Sequence, residues 1–176
     1  QASSAAALAS YYAFAKDARL RDPIRRMLSA LDKHSIPIGK GRLQRFVEGT
    51  HILSSPVGRW KLRAALGRFE LLYQTSGSGK LVSPDGTYGT ALAGTVALAL
   101  LTEVIYAHGS GDEAFAGLRA AWLDGLLNLH IPGGGFRRTP VTIDDSDYDN
   151  GEGWLALAVY CDVHRDDVRT ASVLSD

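Results

Sequence analysis

The stretch Ile143-Asp144-Asp145-Ser146-Asp147-Tyr148-Asp149-Asn150-Gly151-Glu152-Gly153-Trp154-Leu155-Ala156-Leu157-Ala158-Val159-Tyr160-Cys161 decides the reading of this chain. It opens with four carboxylates, Asp144, Asp145, Asp147 and Asp149, and runs through Asn150-Gly151 into an apolar segment. Asn-Gly is a strong turn pair. A turn is therefore expected there, with a helix from about Gly151 to Val163 that carries Glu152 in its first turn. Trp154, Leu155, Leu157, Ala158 and Cys161 cover most of that helix's circumference, the pattern of a helix buried on nearly every side. An acidic mouth opens directly onto an interior helix.

A fainter copy lies upstream. Asp85-Gly86-Thr87-Tyr88-Gly89 closes a Gly/Ser/Pro-rich turn region and precedes Tyr88 to Ala107, the most apolar segment of the chain, which has no polar face before Glu103. Thr90 and Gly94, one helical turn apart, offer a small-residue face for close packing. More amphipathic helices are expected at about Ser3–Ala18, Pro23–Lys33 (Asp22 as cap), Ser55–Tyr73 and Glu113–His130 (Asp112 as cap). Pro132 and Gly133-Gly134-Gly135 end the last of these, and Asp166 to Asp176 allows one more short helix. Ser35 to Gly41 reads as a break, and Arg42 to Ile52 as a short helix or an extended loop. The order outer helix, polar loop, inner helix then repeats at least twice. The expected fold class is all-α, antiparallel helical hairpins in one domain over residues 1–176.

Composition narrows the function classes. The chain has 176 residues, 45% of them hydrophobic, enough for one domain with a sizeable core. Nineteen basic residues balance nineteen acidic ones, so bulk charge argues against nucleic acid or an anionic membrane as partner. The longest apolar run, Ala91 to Ile105, is interrupted by Glu103 and too short to span a bilayer. A soluble protein, secreted or cytoplasmic, is expected. No signal peptide is recognised, and the start at Gln1 suggests that the chain is part of a longer one. Cys161, the single cysteine, excludes an intramolecular disulfide, and its apolar setting argues against a nucleophile.

Glu152 is the leading catalytic candidate. Free N–H groups and the helix dipole favour a carboxylate at a helix start, so a plain capping role competes with a functional one. Facing a cleft with Asp149 and Asp147, Glu152 could share general acid and base work, provided the two environments separate the proton affinities. Glycosidic cleavage needs two carboxyl groups at a set separation across a sugar ring. Sequence spacing does not supply that separation, and Asp85 from the other repeat is the alternative partner. Asp145, Asp147 and Asp149 have the spacing of the start of a calcium loop. Asn150 stands where an EF-hand needs glycine and Ala156 where it needs glutamate. A standard EF-hand is excluded, leaving a looser calcium site or a solvated acidic loop, with no other cofactor expected. Tyr88, Phe136, Tyr148 and Trp154 flank the Gly-rich mouths and suit recognition of sugars or peptides, although Trp154 also reads as core. Arg137 and Arg138 could pair with the aspartates or meet an acidic substituent such as a uronate carboxylate. The histidines show no metal-ligand spacing, and Gly77-x-Gly79-Lys80 lacks the rest of a phosphate loop.

The junctions at Asp85-Gly86-Thr87-Tyr88-Gly89 and Asp149-Asn150-Gly151-Glu152-Gly153-Trp154, each leading into an apolar helix, resemble the α/α-toroid superfamily of carbohydrate-active enzymes. That group includes glycoside hydrolases, sugar epimerases and some polysaccharide lyases. The resemblance is architectural and covers about half of the chain. It implies helical hairpins around an axis, with the active site in a funnel formed by loops entering the inner helices. It also implies Asp85 and Glu152 as acid/base residues and Tyr88 and Trp154 as sugar-stacking residues, to which the reading of the residues themselves adds Asp149 in the first role and Arg137 and Tyr148 as substrate-binding residues. A glycoside hydrolase acting on a polysaccharide or glycoconjugate is the leading expectation. A lyase or epimerase on the same fold is the first alternative, and a non-catalytic helical binding or assembly module the second. The length provides only about three hairpins, so a further chain completing the fold is an expected partner.

Overall fold

The computed structural model describes residues 1–38, 79–140, 142 and 146–175. The expected helix at 55–73, the undecided stretch 42–52 and the carboxylates Asp144 and Asp145 lie outside the described residues. Six α-helices, two single-turn 3-10 helices (Ala18–Leu20 and Tyr88–Thr90) and one two-stranded sheet make up the described elements. The expectation of a mainly helical fold holds, and the small sheet is an addition to it.

Helix α1 spans Ala2–Ala15. Alanine loses no side-chain entropy in a helix, and Ala2, Ala5, Ala6, Ala9 and Tyr12 recur on one buried face. The helix stops at Lys16, which turns left-handed at φ 54° and donates its N–H to the Tyr12 carbonyl. Helix α2, Arg21–Lys33, buries Ile24, Leu28 and Leu31 at helical spacing. It starts two residues before Pro23, so Asp22 lies inside its first turn and is not the cap.

Strand β1, Ser35–Pro37, pairs antiparallel with β2, Lys80–Val82, with Ile36 opposite Leu81. Three residues carry too little alternation to announce a strand, and the partner is distant in sequence. The buried Trp122 indole donates to Ser35 Oγ at 2.9 Å and ties the sheet to the helices.

Helix α3, Ala93–Ser110, is buried along nearly its whole length, as its lack of a polar face predicts. It begins later than expected, because Tyr88–Thr90 form a separate single turn. Helix α4 spans Ala116–Leu127. Asp112 does not cap it; its Oδ1 accepts the Ala114 N–H at 3.0 Å in the preceding loop. Helix α5 spans Asp147–Val163 and α6 Val168–Leu174. Asn150-Gly151, expected as a turn, lies inside α5. Asn150 Oδ1 accepts the Phe136 N–H at 2.6 Å, and this distant bond prevails over the local turn preference.

Helix α3 packs most extensively against α1 and α5. The N-terminal ends of all three meet around one cleft, lined by Ala2, Thr95 and Glu152 among others. Towards the other end of α1 and α3, the Tyr12 and Tyr106 rings lie 5.9 Å apart and Lys16 Nζ donates to the Gly109 carbonyl at 3.2 Å. Helices α1, α3 and α5 thus run in parallel, with α3 in the middle. Among the described residues no helix is long and apolar enough to cross a membrane.

Strand β2 crosses α4 at Gly125. A Cβ there would overlap the Lys80 carbonyl oxygen and lie 2.9 Å from its carbon. Backbone cannot rotate away as a side chain can, so Gly125→Ala is expected to destabilise by about 1–3 kcal/mol despite alanine's better helix propensity. A chemical denaturation midpoint equal to that of the parent would show that the strand yields freely.

Candidate functional site

The site is assembled at the first turn of α3. Leu92 at its N-cap has no acceptor side chain, so the first N–H groups need partners from elsewhere. The Ala93 N–H donates to the Arg138 carbonyl at 2.9 Å. The Gly94 N–H donates to Asp149 Oδ1 at 2.9 Å. One helix start therefore fixes both the 136–138 loop and the first turn of α5. Asp149 is only 4% exposed, and its charge sits where the α3 dipole favours it.

Glu152 follows one turn later on α5 and passes over the same glycine. A Cβ at Gly94 would overlap Glu152 Oε2 and lie 2.7 Å from Asp149 Oδ1. The two carboxylates thus lie side by side, on one wall of a cleft of about 740 Å³. That volume is in the range of small-molecule sites. Burial pushes the Glu152 carboxyl above the usual glutamate range; the Tyr148 hydroxyl bond opposes this and the Asp149 charge adds to it. The Glu152 charge and the hydrogen bond in turn raise the Tyr148 hydroxyl. Tyr148 is 75% exposed at the cleft rim. Arg138 and His34 line the same cleft.

The two acidic junctions do reach this cleft together, through Pro84 and Thr90 on one side and Asp149 and Glu152 on the other. Asp85 itself is turned into its own loop. Its Oδ1 accepts from the Thr87 N–H at 2.9 Å and from the hydroxyls of Thr87, Thr90 and Ser83 at 2.8, 2.5 and 3.1 Å. The Thr90 hydroxyl above all, then the Thr87 donors, hold it well below the usual carboxylate range. It is an acceptor that shapes the turn, and being held ionised it keeps no proton to donate as a general acid.

The other expected residues divide similarly. Tyr148, Asp149 and Glu152 are brought together. The Tyr88 hydroxyl donates to the Pro37 carbonyl at 2.6 Å, tying its turn to β1. The half-buried Trp154 ring packs edge-on against Phe136 at 5.0 Å and His130 at 5.5 Å, at the edge of the core. Arg137 is half-buried, with its N–H on the Leu129 carbonyl at 2.9 Å; its neighbour Arg138 is the one that lines the cleft. Of the calcium candidates, Asp147 is exposed, Asp149 is held on Gly94, and Asp145 lies outside the described residues. Among the described residues no three His, Cys, Asp or Glu side chains are grouped as a metal site. Sequence reasoning passed over His34, whose place in the cleft wall depends on β1, and treated Gly94 only as a helix-packing residue.

No family model matches the chain, and no curated protein or solved structure matches it either.

Proposed function

We propose that the cleft binds a carbohydrate and that Glu152 is the proton donor in cleavage of a glycosidic bond. The observation that carries this reading is the Glu152 carboxyl, half-buried in the cleft wall beside Asp149, where partial loss of water raises its hold on a proton. A general acid needs its proton at working pH, and desolvation is the usual means of keeping it. The Tyr148 ring at the rim offers a flat apolar face with a polar edge, the chemistry that stacks on a sugar. The parallel α1, α3 and α5, backed by α2 and α4, are compatible with the inner and outer helices of an α/α-toroid-like arrangement, which we propose as the finer description of the fold.

Asp149 is a poor second reactant in this scheme. It shares a helix face with Glu152 and is engaged by the Gly94 N–H, whereas hydrolysis needs carboxyls flanking the bond from two sides. We assign Asp149 the role of holding α5 on α3.

A second reading is favoured by Arg138 and His34 in the same cleft. A guanidinium beside the acid and a histidine as base would suit proton abstraction next to a uronate carboxylate, which is lyase or epimerase chemistry. Incubation with neutral and uronate-containing oligosaccharides separates the readings. New reducing ends without ultraviolet absorbance support hydrolysis; absorbance from a new double bond supports elimination. Neither product, and no binding of any oligosaccharide by calorimetry, would remove the carbohydrate reading.

A further inference from the structure

A second group of titratable side chains lies away from the cleft, and the proposed chemistry makes no use of it. Glu103 sits nine residues beyond Gly94 on α3, about 13 Å along the helix. Its side chain is 0% exposed. Oε1 lies 3.3 Å from Arg119 Nη1 of α4, and the buried Oε2 has no hydrogen-bond partner among the described residues. Arg119 is itself shared: its Nη2 lies 2.5 Å from Glu113 Oε2. Two carboxylates therefore compete for one guanidinium, and only Glu113, 60% exposed, also has water.

The described neighbours add to the imbalance or leave it unrelieved. Among the described residues, Glu113 and Asp112 from the loop before α4 repel a charge on Glu103, and Arg119 attracts it. Tyr160 of α5 interacts with Arg119, and His164 feels both Arg119 and Asp167. His164 is pushed down by burial and by Arg119, and its buried Nε2 has no partner among the described residues. It does not replace the missing cation.

We propose that Glu103, Arg119 and Glu113 form a proton-operated lock between α3 and α4, closed when Glu103 is protonated and weakened when it is ionised. In the closed state Arg119 pairs with Glu113, while Glu103 contributes a neutral carbonyl acceptor. Ionisation leaves a buried anion with one oxygen unsolvated, a far costlier state than a neutral buried carboxyl. Opening of the α3–α4 contact admits water and relieves that cost. Burial, outweighing Arg119, places the transition at about 7. A group raised in the folded state stabilises the protein below its unfolded value, and that stability is lost as pH rises through the folded value. The window therefore runs from the ordinary glutamate value of 4.5 to about 7.

The test is thermal unfolding from pH 5 to 8, with Glu103→Gln as the uncharged, near-isosteric variant. The parent is expected to lose several degrees of Tm as pH rises, with faster amide exchange in α4. The variant is expected to be nearly flat and the more stable of the two at pH 8. Histidine effects cancel in this comparison, because both proteins keep His164 and His108. Parallel profiles for the two proteins would overturn the lock. Should the variant fail to fold, the parent's Glu103 carboxyl is followed by ¹³C NMR: a midpoint near neutrality supports the proposal, and one below 5 overturns it. Glu113→Gln is expected to move that midpoint down; an upward shift would contradict the shared-cation geometry.

Discussion

Glu152→Gln is expected to reduce turnover of any cleaved oligosaccharide by about 10²–10⁴-fold, the usual contribution of a positioned general acid. Thermal stability is expected to stay level or rise. The carboxyl is pushed upward chiefly by burial, so the folded protein already disfavours its charge, and a neutral amide of the same shape removes that penalty. Substrate affinity should change little, because glutamine keeps the volume and can still meet the Tyr148 hydroxyl. The pH profile of the parent gives a companion signature. The protonated acid is the active form, so activity falls as pH rises through the elevated Glu152 value. A variant with full activity would remove Glu152 from the chemistry.

Gly94→Ala is expected to be nearly as damaging, by a different route. The new methyl would coincide with Glu152 Oε2 and crowd Asp149 Oδ1, so the carboxylates or the first turn of α5 must move. A displacement of about 1 Å at a reacting group costs on the order of 10²-fold in rate, and forcing the methyl in costs about 1–3 kcal/mol of stability. Gly89→Ala is the matched control, since nothing lies within 4 Å of a Cβ there. The expected pattern is loss of turnover with lowered Tm for Gly94→Ala and little change for Gly89→Ala. Equal behaviour of the two variants would show that Glu152 does not depend on this close approach.

Much of the frame could be read from residue pattern. The all-round apolarity of Tyr88 to Ala107 predicted an interior helix, and α3, which starts at Ala93 within that stretch, packs most extensively among the described elements. Wherever a tertiary bond decided the outcome, local reading failed. Asn150-Gly151 looks like a turn, yet Asn150 is fixed by the Phe136 N–H, a partner that no local window reveals. Glu152 consequently stands in the second turn of α5, while Asp149, one turn earlier, serves as the distant cap of α3.

The Asp85 outcome was legible after the fact. Its flanking Ser83, Thr87 and Thr90 are the hydroxyl donors an Asx-type turn uses, and four donors on one oxygen leave little for catalysis. The choice between Arg137 and Arg138 was not legible. It depends on the isolated bridge between His130 and Phe136 and on the Arg138 carbonyl receiving the Ala93 N–H. Trp154 illustrates the ambiguity of aromatic residues at a helix start: the same ring could face a ligand or Phe136 and His130, and packing chose the rings.

Site-resolved ¹³C titration of the Glu152 side-chain carboxyl, in the parent and in Asp149→Asn, tests the central claim most directly and needs no substrate. Burial beside Asp149 predicts a midpoint above the ordinary glutamate value of 4.5 in the parent. It also predicts a lower midpoint in Asp149→Asn, which keeps an acceptor for the Gly94 N–H but removes the neighbouring charge. A parent midpoint at or below 4.5, unmoved by the substitution, would contradict it.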